Sequence, residues 1–247
     1  MKAMILAAGL GTRLRPLTDR RPKALVEVAG HTLLEISLSR MRALGIHDVI
    51  VNAHHFADLM VEYLKAHGNF GMRISVSREE VLLDTGGGLK KAAPFFLEDT
   101  PSDKPFLLHN VDVISDIDLR RMVEFHERQG ALATLAVQER KTSRYLLFDD
   151  RLQLCGRRRG GDGEDEWARA CPQPLVLAFC GIHVISPRLL TMMTEEGVFS
   201  IISCYLRLAA QGEAVLAFRA DGSYWRDLGR AESVQQVERE LKARGIL

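Results

Sequence analysis

The chain has 247 residues, of which 47% are hydrophobic and 26% are charged, and these proportions are typical of a soluble globular protein. Disordered, collagen-like and membrane classes are excluded on this composition. The 33 Lys and Arg residues nearly balance the 32 Asp and Glu residues, so no overall field attracts a nucleic acid or an anionic membrane. An anionic ligand must therefore be held by a local group of charges.

The cysteines and the N-terminal run point to an intracellular location. The four cysteines have neither Cys-x-x-Cys spacing nor a neighbouring His cluster, so neither zinc ligation nor a disulfide framework is indicated. The apolar run in residues 1–10 is interrupted by Gly9 and followed by Arg13 and Arg15, which favours a buried strand over a signal peptide. We expect a cytoplasmic protein.

Short apolar runs alternate with amphipathic segments through the first half of the chain, and this pattern predicts a mostly parallel sheet flanked by helices. Strands are predicted at residues 2–7, 49–52, 72–77 and 105–108. One helix is predicted to bury Leu34, Leu38, Met41 and Leu44, and others at residues 56–65 and 118–129. Gly45 and Gly130 are expected to end the first and the last of these helices.

After residue 131 strand-like segments follow one another with little helix between them, which predicts an antiparallel edge to the sheet. They lie at residues 131–137, 145–148, 152–155, 175–179 and 182–186. Two final helices, at residues 200–211 and 230–244, bracket a last strand near residues 214–219. The sequence therefore predicts an α/β fold.

Residues 156–173 combine arginines, acidic residues and glycines, which predicts a flexible hairpin or loop. The run from Arg157 to Arg159 could grip a phosphate. However, the acidic residues at 162, 164, 165 and 166 would neutralise it, which favours a solvated surface.

A glycine-containing segment with Gly9, Gly11 and Arg13 directly follows the first predicted strand. Glycines at a strand exit allow a tight turn and bring backbone N–H groups close to phosphate oxygens. Leu14 replaces the third glycine of the dinucleotide-binding fingerprint, and the Gly-Lys-Ser/Thr of a P-loop is absent. Arg13 and Lys23 could flank a polyphosphate, although a solvated basic loop is the alternative interpretation.

Two carboxylates that are distant in sequence favour the phosphate interpretation. Asp112 follows the strand at residues 105–108, at the sheet edge where α/β proteins bind ligands. Asp227 follows the aromatic residues Tyr224 and Trp225. Magnesium is commonly bound by one or two carboxylates together with phosphate oxygens and water. As alternatives, Asp227 could be a helix N-cap and Asp112 a turn residue.

These residues resemble the sugar-1-phosphate nucleotidyltransferase family. The first matching motif is Leu-Ala-Ala-Gly-x-Gly-Thr-Arg-Leu-x-Pro-Leu-Thr, followed by Pro-Lys. The later motifs, in the family's order, are Leu83-Asp84-Thr85-Gly86-Gly87-Gly88, Asn110-x-Asp112, Phe179-x-Gly181-Ile182 and Trp225-x-Asp227-Leu228-Gly229. The set spans nearly the whole chain. It is most similar to short bacterial N-acetylmuramate-1-phosphate uridylyltransferases and mannose-1-phosphate guanylyltransferase-like proteins.

The resemblance implies a single-domain Rossmann-like nucleotidyltransferase fold over residues 1–247, with a mixed, mostly parallel sheet, flanking helices and an antiparallel edge. It implies an enzyme that joins an NTP to a sugar 1-phosphate and releases pyrophosphate. The implied cofactor is Mg²⁺, and neither a nucleic acid nor a membrane is an implied partner. The alternative is a non-catalytic subunit on the same fold that binds nucleotide sugars and regulates another protein.

The resemblance also assigns roles by position. Arg13 and Lys23 are the implied catalytic residues, and Asp112 and Asp227 the implied metal ligands. The implied nucleotide-binding residues are Ala7, Ala8, Gly9, Gly11, Thr12 and Arg13 around the triphosphate and Thr85, Gly86 and Gly87 beside the base. Gly181 is the implied residue at the sugar phosphate.

The chain departs from the family pattern at three places. Ala24 replaces a Pro, Val111 replaces a Gly, and no Glu-Lys-Pro motif occurs between residues 145 and 173. The first two changes remove no charge, but the third leaves the sugar unassigned. The motif beginning at Leu83 is more similar to the short uridylyltransferases than to other members, so UTP is favoured over GTP.

Overall fold

The structure is a computed structural model that describes residues 1–98, 104–160, 165–229 and 231–244. The strands are β1 (Lys2–Leu6), β2 (Glu27–Val28), β3 (His31–Thr32), β4 (Asp48–Ala53), β5 (Arg73–Arg78), β6 (Phe106–Asn110), β7 (Val113–Ser115), β8 (Ala133–Gln138), β9 (Arg144–Phe148), β10 (Leu154–Arg159), β11 (Asp165–Trp167), β12 (Leu175–Ile185), β13 (Val215–Arg219) and β14 (Trp225–Asp227). The α-helices are α1 (Leu33–Ala43), α2 (Ala57–Ala66), α3 (Asp84–Leu97), α4 (Leu119–Gln129), α5 (Arg188–Thr191), α6 (Ile201–Ala210) and α7 (Ala231–Arg244).

The parallel half of the main sheet has the strand order β5-β4-β1-β6. β1 is parallel to both β4 and β6, and β4 is parallel to β5. The chain winds from β1 outward to β4 and β5, and then returns to β6 on the other side of β1. Ligands bind outside the carboxyl ends of the strands at such a reversal, so the segments that follow β1 and β6 are placed for binding.

The other half of the sheet is antiparallel, apart from β13, which runs parallel to β8. β12 is antiparallel to β6, β8 and β9, and β10 and β11 extend the sheet beyond β9. The predicted α/β fold, with a mostly parallel sheet and an antiparallel edge, is confirmed. The two strands predicted at residues 175–179 and 182–186 are one strand, β12. The pairing register shifts between Phe179 and His183, where Gly181 has a φ of 73°.

Two hydrophobic clusters cover the two faces of the sheet. Ala3 and Ile5 of β1 point into one cluster, while Met4 between them points into the other. This alternation is the period of two that a strand imposes. Helices α1, α2, α4 and α7 supply side chains to the first cluster, and α3, α5 and α6 supply the second. Burial on both faces explains why the central strands are apolar throughout.

Helix ends follow the local sequence signals. The Asp118 side chain accepts a hydrogen bond from the backbone N–H of Arg121 at the start of α4, and Gly130 ends this helix with a φ of 57°. Thr32 caps α1 in the same way, and Gly45 follows that helix with a φ of 77°. The predicted C-terminal glycines are therefore confirmed, and the reason is the left-handed backbone conformation that Gly adopts at little cost.

Two segments differ from the sequence-based expectation. Helix α3 was not predicted, because three consecutive glycines near its start disfavour a helix by local propensity. Residues 156–173 include the β10 and β11 arms of a hairpin, with Arg157–Arg159 on β10; residues 161–164 lie outside the described residues. All four cysteines are free. Within the described ranges no helix is long and apolar enough to cross a bilayer.

Candidate active site

The loop after β1 is fixed to the neighbouring strand. The backbone N–H of Ala7 donates a hydrogen bond to Asn52 Oδ1 at 2.6 Å, and Asn52 in turn donates to Glu79 Oε1 at 2.7 Å. Further along, Gly11 has a φ of 63°, and a Cβ there would lie 2.9 Å from Thr18 Cγ2. A residue with a side chain at position 11 would therefore be strained in the left-handed backbone conformation and would also clash with Thr18. Thr12 begins the short 3₁₀ turn that presents Arg13 at the surface.

Lys23 reaches this loop from a second 3₁₀ turn. Its Nζ donates a hydrogen bond to Oδ2 of Asp112, which follows β6. The Lys23 side chain is only 10% exposed and that of Asp112 is 20% exposed. Because both charges are largely removed from water, each compensates part of the desolvation cost of the other.

Asp227 is brought to Asp112 by a two-stranded ribbon. β14 pairs antiparallel with β7, with Asp227 opposite Val113. The backbone N–H of Leu228 donates to the carbonyl oxygen of Asp112 at 2.9 Å. Asp112 and Asp227, which are far apart in sequence, therefore lie next to each other at the carboxyl end of β6.

The electrostatics of the two carboxylates reflect this proximity. Desolvation by the surrounding protein, and then repulsion from Asp112, raise the pKa of the Asp227 carboxyl. Attraction from Lys23, Arg13 and Arg140 lowers it in part. Arg13 lies close to this carboxylate because Gly229 has no side chain: a Cβ at Gly229 would be 3.0 Å from an Arg13 Nη atom and 2.9 Å from Asp227 Oδ1.

Two adjoining cavities lie at this edge of the sheet, and neither Arg13 nor Asp227 is among the described residues that line them. The loop cavity, of about 380 Å³, is lined by the predicted residues Ala7, Ala8, Gly9, Lys23, Thr85 and Asp112. The hairpin cavity, of about 600 Å³, is lined by β9 and β10 together with Phe179 and the start of α6. Both cavities share Asp84, Thr85 and Asn110. The two cavities therefore meet at these three residues.

The glycines of α3 leave no room for a side chain, because other protein atoms lie close to their Cα atoms. A Cβ at Gly86 would lie 2.4 Å from the Phe199 ring, and one at Gly87 would lie 2.4 Å from the carbonyl oxygen of Gly197. Both glycines are buried, and neither is among the described residues that line the loop cavity. The sequence analysis placed Gly86 and Gly87 beside the base. In the structure, close packing of α3 against the segment before α6 accounts for the absence of side chains at both positions.

Asn110 and Gly181 form a contact that the sequence analysis did not foresee. A Cβ at Gly181 would lie 2.8 Å from Asn110 Nδ2. The Asn110 amide is therefore held against the backbone of β12, and its buried Oδ1 has no hydrogen-bond partner among the described residues. Asn110 itself lines both cavities. The only sequence signal was its place two residues before Asp112.

The arrangement is suited to chemistry on phosphates. A backbone loop, Arg13 and Lys23 can bind phosphate oxygens, while Asp112 and Asp227 offer the hard oxygen ligands that Mg²⁺ prefers. Among the described residues, no group of three or more His, Cys, Asp and Glu side chains could hold a metal by itself. Substrate oxygens would therefore have to complete the coordination. Fold and site together define an α/β protein whose sheet edge offers cations and neighbouring carboxylates suited to a polyphosphate.

Comparisons with known proteins agree with this class. A family model described as nucleotidyl transferase matches residues 2–146. N-acetylmuramate alpha-1-phosphate uridylyltransferase from Caulobacter vibrioides is 35% identical over 248 residues, covering 97% of this chain and 96% of that protein. Mannose-1-phosphate guanyltransferase from Yarrowia lipolytica is 29% identical over 236 residues, covering 93% of this chain and 61% of that protein.

Solved structures share the fold. HddC from Yersinia pseudotuberculosis complexed with GMP-PN has a TM-score of 0.75 at 20% identity, covering 97% of this chain and 99% of that one. UDP-glucose pyrophosphorylase complexed with UDP-glucose has a TM-score of 0.76 at 16% identity, covering 98% of both chains. The chain belongs to the nucleotidyl transferase family. The prediction of an enzyme of this family is confirmed.

Proposed function

We propose that this enzyme transfers a uridylyl group from UTP to a sugar 1-phosphate and releases pyrophosphate. The observation that carries the proposal is the convergence of Arg13, Lys23, Asp112 and Asp227 beside the loop after β1. These residues come from three distant parts of the sequence. Their meeting at the point where the sheet reverses direction supports a site for a nucleoside triphosphate.

The reaction needs charge neutralisation more than proton transfer. A phosphate monoester has a second pKa near about 6, so the attacking sugar phosphate is largely a dianion at neutral pH. The dianion must approach an α-phosphorus surrounded by negative oxygens. Arg13 and Lys23 are assigned to neutralise this charge and to hold the reacting groups in line.

Asp112 and Asp227 are assigned as the ligands of Mg²⁺. The fit is supported by geometry, because the β7–β14 ribbon and the hydrogen bond from Leu228 N–H to the Asp112 carbonyl oxygen bring the two residues together. Burial and then repulsion from Asp112 raise the pKa of the Asp227 carboxyl, and a divalent cation would relieve this repulsion. When bound, Mg²⁺ supplies positive charge at the phosphate groups. In its absence Lys23 compensates the charge of Asp112.

The choice of UTP is supported by similarity to a uridylyltransferase over nearly the whole chain and by the sequence of the motif that begins at Leu83. The uridylyltransferase relative is 35% identical over 97% of this chain, compared with 29% over 93% for a guanyltransferase relative. Backbone groups near Ala7, Ala8 and the start of α3 are assigned to the edge of the base. Ala7, Ala8 and Thr85 all line the loop cavity.

The test is pyrophosphate release over a matrix of nucleoside triphosphates and sugar 1-phosphates. UTP, GTP, CTP, ATP and dTTP would each be combined with the 1-phosphates of glucose, mannose, N-acetylglucosamine and N-acetylmuramate. We expect release with UTP and at least one of these acceptors, and only with Mg²⁺ present. Binding of UTP without turnover on any acceptor would instead support the regulatory subunit.

A further inference from the structure

Two arginines face each other across the β9–β10 hairpin. Arg144 is the register partner of Arg159. The backbone N–H of the next residue, Gly160, donates to the carbonyl oxygen of Ser143 at 2.8 Å. Hydrogen-bonded and non-hydrogen-bonded pairs alternate along an antiparallel ribbon, so Arg144 and Arg159 form a non-hydrogen-bonded pair. Side chains approach most closely at such a pair, where two like charges destabilise the sheet.

The neighbouring arginines on the same hairpin are paired with acidic residues, whereas these two have no such partner among the described residues. Arg158 forms two hydrogen bonds with Asp165, at 2.7 and 2.9 Å, and Arg157 contacts Glu166 at 2.7 Å. The side chains of Arg144 and Arg159 have no hydrogen bond or ion pair with any residue in the described part of the chain. An uncompensated pair of this kind is suited to binding an anion.

Both arginines line the hairpin cavity, beside Phe179 and Ile201. Lys23 and Asp112 line the loop cavity instead, and the two cavities meet at Asn110. The Arg144–Arg159 pair thus lines a different cavity from the residues assigned to the reacting phosphates. Because the 1-phosphate of the acceptor has to reach Lys23 and Asp112 in the proposed reaction, an anion bound by the arginine pair would be a different group.

We propose that Arg144 and Arg159 bind an anionic substituent of the acceptor sugar, and that the enzyme thereby selects acidic sugar 1-phosphates over neutral ones. The proposal rests on the proposed function, since it assigns the sugar class of that same site. A guanidinium presents a planar fork of N–H donors that matches the oxygens of a carboxylate or of a second phosphate. Binding such a group would relieve the repulsion between the two arginines.

The first test uses matched acceptors with UTP. Glucuronic acid 1-phosphate and glucose 1,6-bisphosphate would each be compared with glucose 1-phosphate, and N-acetylmuramate 1-phosphate with N-acetylglucosamine 1-phosphate. Within each comparison the acceptors differ in one anionic substituent. We expect kcat/KM to be at least about tenfold higher for the anionic acceptor in at least one comparison, the range of a charge-assisted hydrogen bond. Which comparison responds distinguishes a carboxylate from a second phosphate.

The second test removes each charge in turn. Arg144→Gln and Arg159→Gln should each lower kcat/KM for the preferred anionic acceptor at least about tenfold and leave that for its neutral counterpart nearly unchanged. Arg151→Gln is the matched control, because Arg151 is exposed in the turn at the opposite end of the same hairpin. This control should leave both values unchanged. An equal loss on both acceptors would mean a structural role and would overturn the proposal.

A binding measurement keeps the proposal separate from the proposed function. UDP-glucuronic acid and UDP-glucose are the corresponding products, and their affinities can be compared by calorimetry without turnover. If UTP releases pyrophosphate with acceptors of both kinds but shows no preference for an anionic acceptor in any comparison, the assignment of the arginines is wrong. If no acceptor supports release at all, the proposed function fails, and tighter binding of the acidic nucleotide sugar would still support the anion site.

Discussion

Lys23 Nζ donates a hydrogen bond to Asp112 Oδ2 although the two residues are 89 positions apart in sequence. The contact joins the segment after β1 to the end of β6, the two strands between which the sheet reverses direction. Asp112 is in turn held next to Asp227 by the ribbon of β7 and β14. This chain of contacts positions one cation and two carboxylates together before any ligand binds.

Removing either assigned metal ligand should abolish most of the activity. Asp112→Asn and Asp227→Asn each replace a negative carboxylate by a neutral carboxamide of nearly the same size. We expect turnover to fall by at least about a hundredfold, the scale of losing a major electrostatic contributor. Steady-state kinetics over a range of Mg²⁺ concentrations, with circular dichroism to verify folding, measure the effect. Rates close to those of the unaltered enzyme at saturating Mg²⁺ would rule out the assignment.

Arg13 and Lys23 should act on the transition state. Negative charge increases there, since the nucleophile and the leaving pyrophosphate both crowd the α-phosphorus. Arg13→Ala and Lys23→Ala are therefore expected to lower kcat together with kcat/KM. Arg20→Ala is the matched control, because Arg20 is an exposed cation of the same basic segment. A rise in KM alone would mean that the two cations only hold UTP in its ground state.

Gly87→Ala should destabilise the fold, because the new Cβ would lie 2.4 Å from the carbonyl oxygen of Gly197. Overpacking of this kind costs about 1–3 kcal/mol, which corresponds to a fall in Tm of several degrees for a chain of this size. Gly9→Ala is the matched control, because among the described residues no atom beyond its two chain neighbours lies within 4 Å of the Cβ position. Equal Tm values for the two variants in thermal unfolding would contradict the packing role of Gly87.

The contrast between these glycines shows what sequence could and could not provide. The loop with Gly9 and Gly11 and the carboxylates at 112 and 227 could be proposed as site residues because the motifs occur in a recognisable order. The packing of Gly87 against Gly197 could not, since a contact between residues so far apart leaves no periodic signal. Helix α3 could not be predicted either, because its glycines have a poor helix propensity and only tertiary packing, which is not visible in the local sequence, overrides it.

The Arg144–Arg159 pair could not be predicted from the sequence for a different reason. Local composition suggested that nearby acids would neutralise the whole arginine run. The strand register instead assigns Asp165 to Arg158 and Glu166 to Arg157, and leaves Arg159 opposite another cation. The number of charges in a segment does not specify which side chains meet. The pairing register of the strands specifies this.

Stability should fall as the pH decreases from about 6.5 to about 4, through buried histidines. Burial lowers the pKa of His126 from 6.5 to about 4, and its ring is hydrogen-bonded to Thr134 and Ser186. In this window the unfolded chain binds a proton at His126 that the folded chain does not, so unfolding is favoured as the pH falls. Burial also lowers the pKa of His109 and of His183 to about 3, which adds to the effect.

His126→Gln isolates one of these groups, because Gln does not titrate and retains hydrogen-bonding capacity. The free energy of unfolding, measured by urea denaturation from pH 7 to pH 4.5, should depend less steeply on pH in this variant. The expected difference in slope approaches about 1.4 kcal/mol per pH unit, the value for one proton. Identical slopes in the two proteins would show that His126 titrates in the same way folded and unfolded.

The central claim is tested most directly by following the α-phosphorus of UTP. UTP labelled with ³²P at the α-position would be incubated with Mg²⁺, the enzyme and a panel of acidic and neutral sugar 1-phosphates. We expect the label to move into a UDP-sugar, with one unlabelled pyrophosphate released for each product, and this transfer to be lost in Asp112→Asn. Recovery of the label only in UTP, or in UMP or UDP without a sugar, would contradict nucleotidyl transfer to a sugar 1-phosphate.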